Sequence, residues 1–136
     1  MQATSISCPW HLFVFHVPGG NFSDFPFIYL THPPTVTVSP KNQQVREDSM
    51  AAFYCAATGG PPPVIMWKKN GKRMTQTQSR YQIQDSPGMS VLRISPVRVG
   101  RDNTSYECIA ENGVGDPVSV SANLTIYPSK SKAPHL

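Results

Sequence analysis

From residue 35 onward the chain is a series of short runs in which apolar and polar positions alternate, separated by clusters of glycine, proline and asparagine. The runs are 35–39 (TVTVS), 43–46 (QQVR), 50–58 (MAAFYCAAT), 64–69 (VIMWKK), 80–84 (RYQIQ), 89–95 (MSVLRIS), 104–111 (TSYECIAE) and 118–126 (VSVSANLTI). A period of two puts every second side chain on one face of a strand. By this rule Phe53, Cys55 and Ala57 share a face, as do Leu92 and Ile94, Tyr106 with Cys108 and Ala110, and Ala122 with Leu124 and Ile126. These positions are the expected core. Between the runs, GGPPP (59–63), KNGK (69–72), DSPG (85–88) and NGVG (112–115) supply the fixed or positive φ that chain reversals need. Short strands and turn signals in close succession predict an all-β sandwich or barrel.

The two ends break this pattern. Residues 1–32 hold Trp10, Phe13, Phe15, Phe22, Phe25, Phe27 and Tyr29 among prolines and glycines, with a period of neither 2 nor 3.6. They read as a poorly ordered leader, residues 33–127 as one domain, and the polar 128–136 as a linker or tail. The length of 136 residues agrees, since one ordinary domain of roughly 100 residues fits with its ends. Composition points the same way: 14 prolines, 9 glycines and only 15% charged residues disfavour helices. No apolar run approaches the roughly 18 residues that cross a bilayer, so no membrane contact is expected of this chain. The patch from Leu12 to Val17 is interrupted by His16 and preceded by no Lys or Arg, which makes a poor secretory signal.

Cys55 and Cys108 stand 53 residues apart, each in the middle of a predicted strand and on its inward face. Two sheets packed about 10 Å apart can be joined by a disulfide from one strand of each, and a buried indole beside it fills the volume the sulfurs leave. Trp67 is placed for that role. Tyr106, two positions before Cys108, is placed to bury its ring and bond its hydroxyl back to the preceding corner. The spacing therefore points to a structural disulfide. A metal site would need a second CxxC or a nearby histidine pair, and the four histidines lie in or next to the leader and tail. A catalytic thiol would need a base, and the sequence offers neither cysteine one. Neither a cofactor, a metal nor an enzymatic activity is expected; Cys8 is left over in the leader.

With Asp102 and Tyr106–Glu107–Cys108 completing a DxxxYxC motif, residues 33–127 resemble an immunoglobulin-like β-sandwich of the intermediate, or I, set. More narrowly, FYCAATGGPPPVIMWKKNGKR, QSRYQI, SVLRISPVRVGRD and YECIAENGVGD together resemble the first immunoglobulin domain of the LAR family of receptor-type protein tyrosine phosphatases. The likeness covers nearly the whole domain and none of the leader. It implies an extracellular fragment of a plasma-membrane receptor, itself without catalytic domains, that meets cell-surface or synaptic protein ligands in cell adhesion and axon guidance.

The basic residues gather in WKKNGKRM and PVRVGRD. In a sandwich of this topology the hairpin after Trp67 and the corner before Tyr106 lie at one pole. Lys69, Lys72 and Arg73, with Lys68 beside them, would thus meet Arg98 and Arg101 in a single patch, suited to a linear polyanion. A disulfide implies an oxidising compartment, where sulfated glycosaminoglycans rather than nucleic acid are the abundant polymers of this kind. The resemblance implies the same partner: LAR-type receptors bind heparan and chondroitin sulfate through these two segments. The matching positions are Lys69, Lys72, Arg73, Arg98 and Arg101, whereas Asn70 replaces the lysine usual in the family. Lys41, Arg46 and Arg93 are assigned elsewhere on the sandwich. Arg80 is assigned to a structural ion pair with Asp102. Of three N-x-S/T sequons, at Asn21, Asn103 and Asn123, the last lies on the solvent face of a strand and Asn103 in the corner beside the patch; both are candidate acceptors. Two alternatives fit the same pattern: an adhesion domain without a glycosaminoglycan ligand, and an intracellular spacer domain with both cysteines reduced.

Overall fold

The computed structural model describes residues 11–15, 27–75 and 78–129. Among the described residues ten strands follow one another: β1 (His11–Phe15), β2 (Phe27–Val38), β3 (Gln43–Arg46), β4 (Ala51–Gly60), β5 (Val64–Lys69), β6 (Lys72–Arg73), β7 (Tyr81–Ser86), β8 (Met89–Ile94), β9 (Ser105–Glu111) and β10 (Val118–Tyr127). They form two five-stranded sheets, ordered β1-β2-β4-β8-β7 and β3-β10-β9-β5-β6. All pairings are antiparallel except that of β3 with β10, which is parallel. Among the described residues no helix is long and apolar enough to cross a membrane.

The core lies between the sheets and is built from the alternating positions. Phe53, Cys55, Leu92, Ile94, Tyr106, Cys108 and Ala110 are fully buried, and Ala57, Ala122, Leu124 and Ile126 nearly so. Cys55 of β4 and Cys108 of β9 form the inter-sheet disulfide, with their Cα atoms 6.4 Å apart. Phe53 stacks on Tyr106 with ring centroids 5.0 Å apart and meets Trp67 at 6.5 Å. Burying side chains of this size stabilises by roughly 1.5–3 kcal/mol each, so this cluster is the main apolar contribution at the centre of the domain. The indole brings a polar atom into that centre. Trp67 Nε1 donates to Ser90 Oγ at 2.8 Å, and the fully buried Ser90 hydroxyl donates in turn to Asp85 Oδ1 at 2.6 Å. Among the described residues no buried side-chain nitrogen or oxygen lacks a partner, as a low-dielectric interior requires.

Two local features set the shape of the poles. Between β5 and β6, Asn70 (φ 49°) and Gly71 (φ 79°) both take the left-handed conformation, which a tight hairpin turn favours and which the predicted KNGK turn supplies. At the opposite pole Asn112 Nδ2 donates to His32 O (2.8 Å) and Pro61 O (3.0 Å), joining the loop after β9 to β2 and to the turn after β4. These loops need glycine: a Cβ on Gly59 would lie 2.7 Å from Asn112 Nδ2, and one on Gly60 2.4 Å from Leu30 O.

The structure differs from the sequence reading in its first strand and in one short strand. β2 starts at Phe27, ahead of the boundary expected at residue 33, and pairs with β1 in the register His11↔Thr31 to Phe15↔Phe27. An unbroken apolar stretch such as FIYL shows no alternation, so periodicity could not reveal it. The β2–β4 register shifts across Pro33–Pro34, where two backbone donors are missing. β6, only two residues long, is too short to carry a pattern. The rest of the expected leader, with Cys8 and the Asn21 sequon, and most of the expected tail lie outside the described residues.

Candidate functional site

Two segments meet at the pole formed by the β5–β6 hairpin. The first is the hairpin itself, anchored by buried Trp67 and closed by Met74 N donating to Trp67 O at 2.8 Å. Its tip is tied to the second segment, because Asn70 N donates to Ser105 O at 3.0 Å. That segment is the corner from Arg98 to Thr104, a tight turn in which Asp102 N donates to Arg98 O (3.1 Å) and Gly100 takes φ 82°. Tyr106 closes the corner from inside, its hydroxyl donating to Asp102 O at 2.9 Å. Burial pushes that hydroxyl's pKa far up, so it stays a donor.

Asp102 is the electrostatic centre of the corner and is 0% exposed. Arg80 donates through Nη1 to Oδ2 and through Nη2 to Oδ1 (3.2 Å), and Arg98 N donates to Oδ2 at 2.6 Å. The Tyr81 hydroxyl also donates to Oδ1. Burial alone would raise the carboxyl's pKa, but the hydrogen bonds from Arg80, Tyr81 and the Arg98 amide outweigh it and hold the group below its ordinary value. The bond to Asp102 likewise raises Arg80 despite its burial. Arg80 is fixed further by Pro96 O at 2.8 Å and lies over the Tyr81 ring. The acid is thus neutralised internally and adds little negative field outside.

Between hairpin and corner lies an open cleft of about 520 Å³, with Lys72 and Arg73 on one wall, Arg101, Asn103 and Thr104 on the other, and Lys69 and Tyr81 at its floor. Among the described residues no acidic one lines it. Lys69 is half-buried at 28% exposure; its Nζ donates to the Tyr81 hydroxyl at 2.8 Å and sits 3.9 Å from Asp102 Oδ1. It is therefore a fixed charge, whereas Lys72, Arg73 and Arg101 are exposed.

Of the six basic residues expected to share one patch, four line this cleft. Arg98 does not: its Nη1 pairs with Asp48 Oδ1 at 2.5 Å, on the turn after β3. Asp48 is brought there by backbone, its N donating to Val97 O at 3.0 Å, and a partner 50 positions away in sequence leaves no local signal. Lys68 does not line it either. Adjacent to inward-facing Trp67 it falls on the outer face, opposite Glu107 of β9 and Arg73 of β6. Tyr81, which orders both Lys69 and Asp102, was missed by the sequence reading; its place beside Arg80 at the head of a predicted strand was the available clue. Asn103 is exposed on the cleft wall and Asn123 is exposed on β10. Among the described residues no group of three or more His, Cys, Asp or Glu could hold a metal ion.

The sequence profile described as "Immunoglobulin domain" matches residues 33–112. Tyrosine-protein phosphatase Lar of Drosophila melanogaster is 60% identical over 97 residues, covering 71% of this chain and 5% of that protein. Receptor-type tyrosine-protein phosphatase F of Homo sapiens is 38% identical over 95 residues, covering 70% and 5%. This chain thus spans only about 5% of the length of these relatives. The crystal structure of the N-terminal Ig1-2 module of the Drosophila receptor protein tyrosine phosphatase DLAR superposes with a TM-score of 0.69 at 57% identity, covering 76% of this chain and 53% of that one. The chain belongs to the immunoglobulin-domain family, and its domain is of the kind found at the N-terminus of LAR-type receptor phosphatases.

Proposed function

We propose that this domain is an extracellular recognition module of a LAR-type receptor phosphatase ectodomain, and that its basic cleft binds sulfated glycosaminoglycan chains of proteoglycans. Protein ligands in cell adhesion and axon guidance would meet other surfaces of the same module. The observation that carries the reading is the lining of the cleft, basic at Lys72, Arg73 and Arg101 and free of acids among the described residues, with the Lys69 ammonium held by the Tyr81 hydroxyl. A groove with cations on both walls can follow a linear polyanion and displace its counterions, which drives binding without deep shape complementarity. The preset Lys69 loses little side-chain freedom on binding.

The test is heparin affinity of the full chain against salt. Replacing Lys72, Arg73 and Arg101 with alanine removes the exposed cations and spares Lys69, whose loss would disturb the Asp102 network. Affinity should fall, and the slope of log K against log salt should drop by roughly one for each contact removed. The melting temperature should hold, because exposed charges contribute little to folding. Lys41, Arg46 and Arg93, exposed and outside the cleft, form the charge-matched control. Equal losses from both triple variants would reduce the effect to net charge and overturn the site.

A further inference from the structure

The sequon Asn103–Thr104–Ser105 is absorbed by neither the fold nor the proposed cleft, yet the structure puts its asparagine on the cleft wall. We propose that Asn103 is an N-glycan acceptor and that the glycan, once attached, partly screens the basic cleft and weakens polyanion binding there; this rests on the proposed function of that cleft. Three observations support it. Asn103 is exposed while its neighbour Asp102 is fully buried, so the asparagine side chain lies on the solvent side of the corner. Arg101, one of the cleft's exposed cations, stands two positions before it. The opposite wall is also near, since the Asn70 amide at the hairpin tip bonds Ser105 O at 3.0 Å. A bulky hydrophilic group attached at Asn103 therefore occupies the mouth between the walls.

The attachment balances as an ordinary oligosaccharide transfer. The Asn103 Nδ2 forms a bond to the anomeric carbon of a lipid-diphosphate-linked oligosaccharide, the bond from that carbon to the diphosphate oxygen breaks, and the lipid diphosphate leaves with the electron pair. The amide nitrogen gives up one proton, which passes to the departing diphosphate or to solvent. Ser105 supplies the hydroxyl that the sequon requires. Asn123 is a built-in contrast, being exposed on β10 but absent from the cleft lining.

The full chain is secreted from a eukaryotic host as wild type, Asn103→Gln, Ser105→Ala and Asn123→Gln. Glycan occupancy is read by peptide mass and affinity on immobilised heparin. Wild type should carry a glycan at Asn103 and bind several-fold more weakly than Asn103→Gln. Ser105→Ala keeps the asparagine but loses the glycan, and should bind like Asn103→Gln; Asn123→Gln should bind like wild type. An unmodified Asn103 in the secreted wild type would overturn the inference. So would a modified Asn103 with heparin affinity equal to that of Asn103→Gln, a result that leaves the cleft reading standing. If the variants lacking the Asn103 glycan fail to bind heparin, the proposed function falls and the inference with it.

Discussion

Replacing Asp102 with asparagine keeps the volume of the side chain and removes its charge, and should destabilise the domain by about 3 kcal/mol at neutral pH. The estimate starts from the roughly 3–5 kcal/mol typical of breaking a buried ion pair by changing one partner. It takes the lower end because the Arg80 side chain is 19% exposed and recovers some hydration. Donors converge on the carboxylate from Arg80, Tyr81 and the Arg98 amide, and the new amide group presents its own N–H bonds to one side of that set. For a domain of this size the melting temperature should fall by at least about 12 °C. The effect must also depend on pH. Asp102 is held below its ordinary value of 3.8, so its contribution is complete above about pH 4 and is lost as pH falls through the lower folded-state value. Below that window neither state of the wild type is charged at this position, and the gap between wild type and Asp102→Asn should narrow. Urea unfolding of both proteins from pH 7 down to pH 2 measures the gap directly. A loss under about 1 kcal/mol at pH 7, or a gap of constant size through the acid range, would refute the account of the corner.

Two further outcomes follow from the core. Reducing Cys55–Cys108 should lower stability by about 4 kcal/mol on the chain-entropy estimate for a loop of this length, seen as an earlier thermal transition in the presence of a thiol reductant. Ser90→Ala removes the acceptor of the buried Trp67 indole and the donor to Asp85, and should cost about 1–3 kcal/mol in denaturant titration; a neutral result would mean that water or a shifted side chain replaces the hydroxyl.

The sandwich was legible because its core residues obey a strict alternation. Phe53, Cys55 and Ala57 face inward because adjacent residues of a strand must face opposite sides, and the same rule fixes Tyr106 and Cys108. The hairpin was legible from Asn70–Gly71, whose φ values few other pairs tolerate. The cleft was only partly legible. Its walls follow from topology, so Lys72, Arg73 and Arg101 could be placed together, but the direction of each side chain is set by partners distant in sequence. Arg98 turns to Asp48, and Lys69 turns to a tyrosine hydroxyl rather than to solvent. The relay from Trp67 through Ser90 to Asp85 was hidden for the same reason, because a polar group on an inward strand face is recognised only when its partner is known. Only the early part of β2 escaped notice, from the opposite cause: Phe27–Leu30 is apolar throughout, and periodicity is visible only as contrast.

The parallel pairing of β3 with β10 has a mechanical consequence. The chain enters the domain ahead of Gln43 and leaves after Tyr127, and the two strands run side by side in the register Leu124↔Gln43 to Tyr127↔Arg46. Tension applied between the two ends bears first on β2, which pairs with β4; beyond it the pull draws β3 backward and β10 forward, so the parallel ladder is loaded in shear along its length. The rungs then strain together instead of unzipping one after another. The Gln43 side-chain amide adds a rivet across the sheets by donating to Ala52 O of β4. Such a domain resists stretching up to a threshold and then yields abruptly. The β5–β6 hairpin and the corner that wall the cleft belong to neither loaded strand, so a receptor held taut between two surfaces would keep its basic groove in register.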